Sequence, residues 1–301
     1  MNFFKSPRLL MILSMAIFGT LAPFVRNISV SSGELALYRA ILAALFIGAV
    51  LLITRQKINL RAIRRELPFL IASGMAMGIN WILLFEAYKY TTVSAATLSY
   101  YFAPVLVTLI CPILFRERMT LKQLVCFVMS TLGVVLVIDV GNLGDGSTHL
   151  IGILFGLGAA CFYATVMLLN KFIKGVAGIH RTFLQFLSAI LILTPYVALT
   201  GGVTLGGMSG TGWACLLVVG LIHTGITYCM YFSSLKELPG QKAAILSYID
   251  PFVAILVSVV VLKESITPLQ ILGGALILGF TLWNEIGTGQ GRRKTTSQNT
   301  D

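Results

Sequence analysis

The sequence predicts an all-α polytopic membrane protein, with ten transmembrane helices arranged as two inverted five-helix repeats. Three observations carry that fold class. Of 301 residues, 57% are hydrophobic and only 11% charged, against about 25% charged in an ordinary soluble domain. Ten apolar runs of spanning length, roughly 18 residues or more, follow one another with short connections. The chain also matches itself at a shift of 147 residues.

The predicted spans are 9–27, 32–54, 67–88, 92–115, 121–140, 149–172, 182–200, 210–233, 240–262 and 267–284. Lys5 and Arg8 precede the first, as in a signal peptide. However, "MILSMAIFGTLAPF" outruns a signal h-region of about 7–15 residues and lacks a small-x-small cleavage site. It reads as a retained helix. The second span carries Glu34 and Arg39, the third ends at Glu86 and Lys89, and the fourth contains Pro104. The fifth and tenth each open after a Thr, in "ERMTLKQ" and "ESITPLQ". Thr120 and Thr267 then read as N-caps, with Gln123 and Gln270 completing capping boxes and Pro268 at the first helical position. Glycine clusters such as "GMAMG" and "GILFGLGAA" give flat faces for close helix approach. The ninth holds Asp250–Pro251.

Charge distribution predicts the orientation. With ten spans both termini lie on one side, and that side collects eighteen Lys and Arg against three opposite, with Arg39 inside the second span. Basic loops are retained in the cytoplasm, so the protein is expected in the cell (inner) membrane with both termini cytoplasmic. The net charge of +11 then reflects topology and implies no nucleic-acid partner. The five cysteines fall in apolar segments without metal-ligand spacing, so they read as small core residues. No metal or cofactor is expected, and the oligomeric state has no signal in the sequence.

The duplication aligns "ATLSYYFAPVLVTLICPILFRERMTLKQL" (96–124) with "AAILSYIDPFVAILVSVVVLKESITPLQI" (243–271). Tyr101 meets Tyr248, Pro104 meets Pro251, Glu117 meets Glu264, and Gln123 meets Gln270. An odd number of spans per unit forces the second unit into the membrane upside down. That architecture gives secondary transporters two interconvertible shapes around a midplane site. The expected units are 1–143 and 144–286, followed by a polar tail at 287–301.

These two stretches, each with a Pro in the fourth helix, a Glu-x-x-Thr at its end, and a Gln with glycines in the fifth, resemble the EamA repeats of the drug/metabolite transporter superfamily. The resemblance covers almost the whole chain. It implies ten helices, a central cavity walled by the first four helices of each half, and peripheral fifth and tenth helices. It also implies transport of amino acids, drugs or other small metabolites.

Polar residues within apolar spans are costly, about 2.5–3.5 kcal/mol for a charge at mid-bilayer on insertion scales, so each is a candidate. Asp250 either caps the half-helix that Pro251 restarts, or lines the cavity to meet a cation or take up a proton. Arg39 gates the cavity or meets a substrate carboxylate, or else pairs with Glu34. Glu86 pairs with Lys89 three residues on or contacts substrate. His223 is a hydrogen-bonded interior residue or a proton relay, and with Thr227 and Tyr231 it forms a polar stripe. Asn80, Trp81, Tyr100, Tyr101, Tyr163 and Ser247 complete the expected substrate-binding set, since aromatic rings with polar tips suit organic solutes. Arg39, Glu86, Pro104 and Pro251 are the expected gating or coupling residues. Glu117 and Glu264 are expected to orient turns, and Trp283 to anchor at the interface.

The leading expectation is a secondary transporter that exports a small organic metabolite, an amino acid or related amphipathic solute, by alternating access. Proton coupling through Asp250, Glu86 or His223 is one form of it; facilitated diffusion or exchange leaves the same sequence. Import of a cationic nutrient, held by cation–π contacts, is the alternative within transport. The chain has no P-loop for ATP drive. Its scattered acids, with no HExxH or Asp-rich motif, argue against an intramembrane enzyme, and short loops argue against a receptor.

Overall fold

The computed structural model describes residues 6–56, 58, 63–115, 119–138, 147–176, 178–235, 237–238 and 246–288. The main helices are α1 (Pro7–Gly19), α2 (Leu21–Arg26), α3 (Ser32–Ile53), α4 (Leu67–Tyr90), α5 (Val93–Tyr100), α6 (Ala103–Phe115), α7 (Leu121–Ile138), α8 (Ser147–Asn170), α9 (Gly178–Thr200), α10 (Gly210–Leu217), α11 (Thr227–Leu235), α12 (Ile249–Val260) and α13 (Pro268–Thr288). A π-helical stretch, Val218–Ile226, joins α10 to α11.

Among the described residues, seven helical runs are long and apolar enough to cross a membrane, and Leu121–Val137, Ile249–Val260 and Pro268–Asn284 are shorter apolar helices. The expectation of ten full spans is therefore met only in part. At 1.5 Å per residue, twelve residues of α12 fall well short of a hydrocarbon core about 30 Å thick. The start of the predicted ninth span, Glu117 and most of the 287–301 tail lie outside the described residues.

Several spans are broken where the sequence carries helix breakers. A proline lacks the N–H for the ladder, and its ring clashes with the carbonyl four residues back. Pro104 accordingly separates α5 from α6, and Pro251 stands just inside α12. The two breaks share one backbone geometry: Tyr101 has φ −71° and ψ 4°, and its repeat partner Tyr248 has φ −70° and ψ −8°. The duplication is thus legible in the backbone. Thr20 interrupts the first span, where its hydroxyl donates to the Ile17 carbonyl at 2.8 Å, immediately before α2, which contains Pro23.

Packing follows the repeat as well. α4 lies along α8 and α9, while its equivalents around the π stretch and α11 lie against α1 and α3. Contacts between helix ends set the faces. At one face Glu66 accepts from the Gly175 amide at 2.8 Å, and Ser234 at the end of α11 reaches Met11 in α1. At the opposite face Thr91 meets His149 at 2.7 Å, and Glu264 accepts from the Val93 amide at 2.8 Å.

The capping boxes form as expected. Thr120 N donates to Gln123 Oε1 at 2.8 Å, and Thr267 N donates to Gln270 Oε1 at 3.1 Å. α7 and α13 then pair with each other away from the centre. Lys122 near the start of α7 sits 5.2 Å over the Trp283 ring near the end of α13, so these equivalent helices begin on opposite faces. Their crossing is close: a Cβ on Gly133 would lie 2.7 Å from the Gly273 carbonyl oxygen. Gly133→Ala is expected to cost about 1–3 kcal/mol through backbone overpacking and to lower the melting temperature in detergent. Gly279→Ala, on the same α13 but with nothing within 4 Å of an added Cβ, leaves it unchanged. Equal melting curves would refute the tight crossing.

The cysteine reading needs correction. Cys126 is buried, but Cys161 is exposed, and Cys215 and Cys229 are half-buried. A thiol is apolar enough to stay on a surface that faces lipid, so an apolar segment did not imply an interior position.

Candidate functional site: a tyrosine-lined centre with two separated charges

The centre is built where the broken helices meet. At the α5–α6 break the Tyr101 hydroxyl is released toward α12 and donates to Asp250 Oδ2 at 2.5 Å. The bond joins the two repeats at their matching breaks. Asp250 sits in the first turn of α12, whose N-cap is Tyr248 with no side-chain cap bond. The reading of Asp250 as the cap of a restarted half-helix is therefore corrected. Its carboxylate points across to the other repeat because Tyr101 offers a phenolic donor there.

Tyr101 packs edge-on to Tyr100 at 5.7 Å, and Tyr100 stacks on Tyr163 of α8 at 5.1 Å. All three rings and Asp250 are half-buried. Tyr231 lies edge-on to Phe18 of α1 at 6.4 Å, and Tyr228 lies edge-on to the same ring at 5.1 Å. Ser247, also half-buried, is helical and directly precedes the turn at Tyr248 that opens α12.

Arg39 is the second charge. It is 3% exposed, with its guanidinium 4.4 Å from the Trp81 ring centroid and 5.4 Å from that of Phe85. Its Nε donates to Thr224 Oγ1 at 3.1 Å. Among the described residues Arg39 forms no ion pair within 4 Å. The alternative of an Arg39–Glu34 pair is corrected, because Glu34 turns away to close the capping box of α3 and accept from the Thr204 amide at 2.6 Å. Tyr88, Tyr100 and Tyr228 lie within electrostatic reach of both Arg39 and Asp250. The two charges thus share a set of tyrosine neighbours, and no ion pair joins them among the described residues.

The π stretch explains how Arg39 is met. In a π-helix the backbone bonds skip five residues, and such bulges are frequent at functional sites. Thr224 and Thr227 hydroxyls donate back to the carbonyls of Val219 and Ile222, each at 2.7 Å. With its hydrogen spent that way, Thr224 Oγ1 is left as an acceptor for Arg39. His223 is buried in the same stretch, with Nε2 3.1 Å from Thr20 Oγ1 and its ring 5.0 Å from Phe24. It therefore occupies the seam with α1 and α2, the hydrogen-bonded interior reading.

Other expected residues fall elsewhere. Asn80 is 2% exposed and donates to the Ala159 carbonyl at 2.6 Å, which ties α4 to α8 and leaves it no free face toward a solute. Trp81 is 5% exposed and serves as the shelf beneath Arg39, backed by Phe186 at 5.6 Å. Glu86 accepts from Lys89 at 2.9 Å near the helix end. Sequence reasoning missed Thr20, Tyr88, Thr224 and Tyr228. The threonines look like ordinary helix residues until a break or a π turn reorients them, and both tyrosines were passed over among ten in the chain.

One end of this centre is closed. Arg26, at the end of α2, forms an ion pair with Glu264, which also accepts from Ser258 and from the Val93 amide. Glu264 therefore binds the ends of three spans together. At that end α5 packs against α12, whereas beyond the breaks α6 leans on α7 and α8.

Broken helices that face a polar centre, inside a multi-pass membrane protein, define by class a solute transporter. The EamA-like transporter family model matches residues 6–139 and again 150–284. The chain is 31% identical over 299 residues to the uncharacterized transporter YxxF of Bacillus subtilis, covering 97% of this chain and 93% of that one. It is 27% identical over 277 residues to an uncharacterized transporter of Archaeoglobus fulgidus, covering 91% and 95%. A solved crystal structure superposes with a TM-score of 0.62 at 17% identity, over 92% of this chain and 96% of that chain, and so shares the fold. The chain belongs to the EamA-like transporter family.

Proposed function

We propose that this protein is a secondary transporter that exports a small amphipathic metabolite, of which a zwitterionic amino acid is the best fit. Two inverted units, 1–143 and 144–286, alternate access to a pocket between them, and both termini face the cytoplasm. The observation that carries this reading is one buried cation and one carboxylate that share tyrosine neighbours, Arg39 lying over Trp81 and Asp250 accepting from Tyr101. A carboxylate suits the guanidinium, an ammonium suits the aspartate, and rings suit an apolar side chain.

The Arg26–Glu264 closure supports a state shut on the outer face, with the pocket reached from the terminal side. Rocking would exchange that closure for contacts on the opposite face. Proton movement through Asp250 would couple export to a pH gradient. Uptake of a cationic amine is the second reading, favoured by the ring of tyrosines near Asp250.

Purified protein in liposomes, offered labelled amino acids and amines with and without a pH gradient, distinguishes the two. Movement of amino acids is expected; movement of amines alone supports the second reading, and movement of neither overturns both.

A further inference from the structure

A mixed polar and apolar cavity lies at the Arg26–Glu264 end of the protein, between α2, α3 and α4, and shares Tyr88 and Phe85 with the surroundings of Arg39. Its volume is about 170 Å³, and its polar lining comes from Arg26, Ser32, Tyr88 and Lys89, with Val30 and Phe85 among the apolar walls. Two cations face it. The neighbouring acids have other commitments: Glu264 is engaged by Arg26, Ser258 and the Val93 amide, Glu86 by Lys89, and Glu34 by Ser31 and Thr204.

Ser32 is the informative residue. It is 2% exposed, yet its hydroxyl oxygen has no hydrogen-bond partner. A buried hydroxyl left unsatisfied costs about 1–3 kcal/mol, and native structures keep few such groups. Here it lines a cavity between an arginine and a lysine. A guanidinium has five donors and an ammonium three, so Glu264 and the Tyr88 carbonyl do not exhaust Arg26, and Glu86 does not exhaust Lys89. The first turn of α3, twenty-two residues long, adds the positive end of a helix dipole.

We propose that this cavity is a binding site for the carboxylate group of a small solute, held by Arg26, Lys89 and the Ser32 hydroxyl. Its position gives the site a purpose beyond retention. Arg26 is shared between the cavity and the Glu264 closure, so a second carboxylate beside it divides the guanidinium's charge and weakens its hold on Glu264. A solute arriving at this face would thereby loosen the closure above the central pocket. The site goes beyond the central pocket of the proposed transport function, and the groups that hold the carboxylate, Arg26, Lys89 and Ser32, are not among that pocket's residues.

The test needs no knowledge of the transported solute. Val30→Cys, in a chain whose five native cysteines are replaced, places one thiol in the cavity wall. Purified protein is treated with the anionic reagent 2-sulfonatoethyl methanethiosulfonate and, separately, with its cationic trimethylammonium analogue. Each rate is divided by that reagent's rate with a free thiol.

The anionic reagent is expected to be favoured by at least about tenfold, the scale of charge focusing in a low-dielectric cleft. Millimolar sodium propionate should slow it, and the same concentration of methylammonium chloride should not. Adding Lys89→Gln with Glu86→Gln, which keeps the local net charge, together with Ser32→Ala leaves Arg26 as the remaining ligand in the cavity, so both the preference and the protection should fall severalfold. Equal normalised rates, protection by both salts alike, or a preference left undiminished by these substitutions would each overturn the site. Failure here leaves liposome transport untouched, and failure of transport leaves this labelling result standing.

Discussion

Asp250→Asn is expected to reduce solute transport in liposomes by about 10–150-fold while the protein still folds and inserts. The substitution keeps the shape and an acceptor oxygen for Tyr101, whose hydroxyl lies 2.5 Å from Asp250 Oδ2, but removes the charge. Hydrogen bonds to charged groups contribute about 1.5–3 kcal/mol, and each 1.4 kcal/mol is about a factor of ten. Tyr101→Phe separates two roles. It deletes the bridge between repeats and leaves the carboxylate, so binding of an ammonium-bearing solute should persist while turnover changes. Any dependence of transport on an imposed pH gradient should vanish in Asp250→Asn. If both variants moved every solute at the original rate, Asp250 would be a packing residue and the central site would be misplaced.

Arg39→Lys gives the second large effect, although it conserves charge. The guanidinium is planar, lies over Trp81 and Phe85, and uses Nε to reach Thr224. An ammonium has neither the fork nor the stacking face. A desolvated cation–π contact is worth about 2 kcal/mol, so transport of carboxylate-bearing solutes should fall by about 30-fold. The informative readout is a comparison of an amino acid with the amine that lacks its carboxylate. Arg39→Lys should raise the KM of the first and leave the second nearly unchanged. Equal losses for both would mean that Arg39 only supports the packing of α3 against the π stretch.

These two residues also show how much of the site could be read beforehand. Arg39 and Asp250 were visible because a charge in an apolar run is rare and costly, and Pro104 with Pro251 marked where two spans would break. The breaks appear at Tyr101 and Tyr248, with nearly the same backbone angles in both repeats. Partners were not visible. Glu34, five residues before Arg39, was a natural candidate, yet its carboxylate serves its own helix start and Thr204. Asn80 looked like a binding residue, but it bonds the backbone of α8.

The pattern has a physical basis. Hydropathy, proline and capping signals act within a few residues along the chain, so the spans, the breaks and the Thr–Gln boxes at α7 and α13 were set by local sequence. The duplication, too, needed only the chain compared with itself. Which side chain answers a buried charge depends on helices that approach from more than a hundred residues away. Arg39 meets Thr224, Tyr101 meets Asp250, and Arg26 meets Glu264. The π turn that reorients Thr224, and the cavity beside Ser32, arise only when those helices pack, because packing decides which polar groups find partners and which are left waiting for a solute.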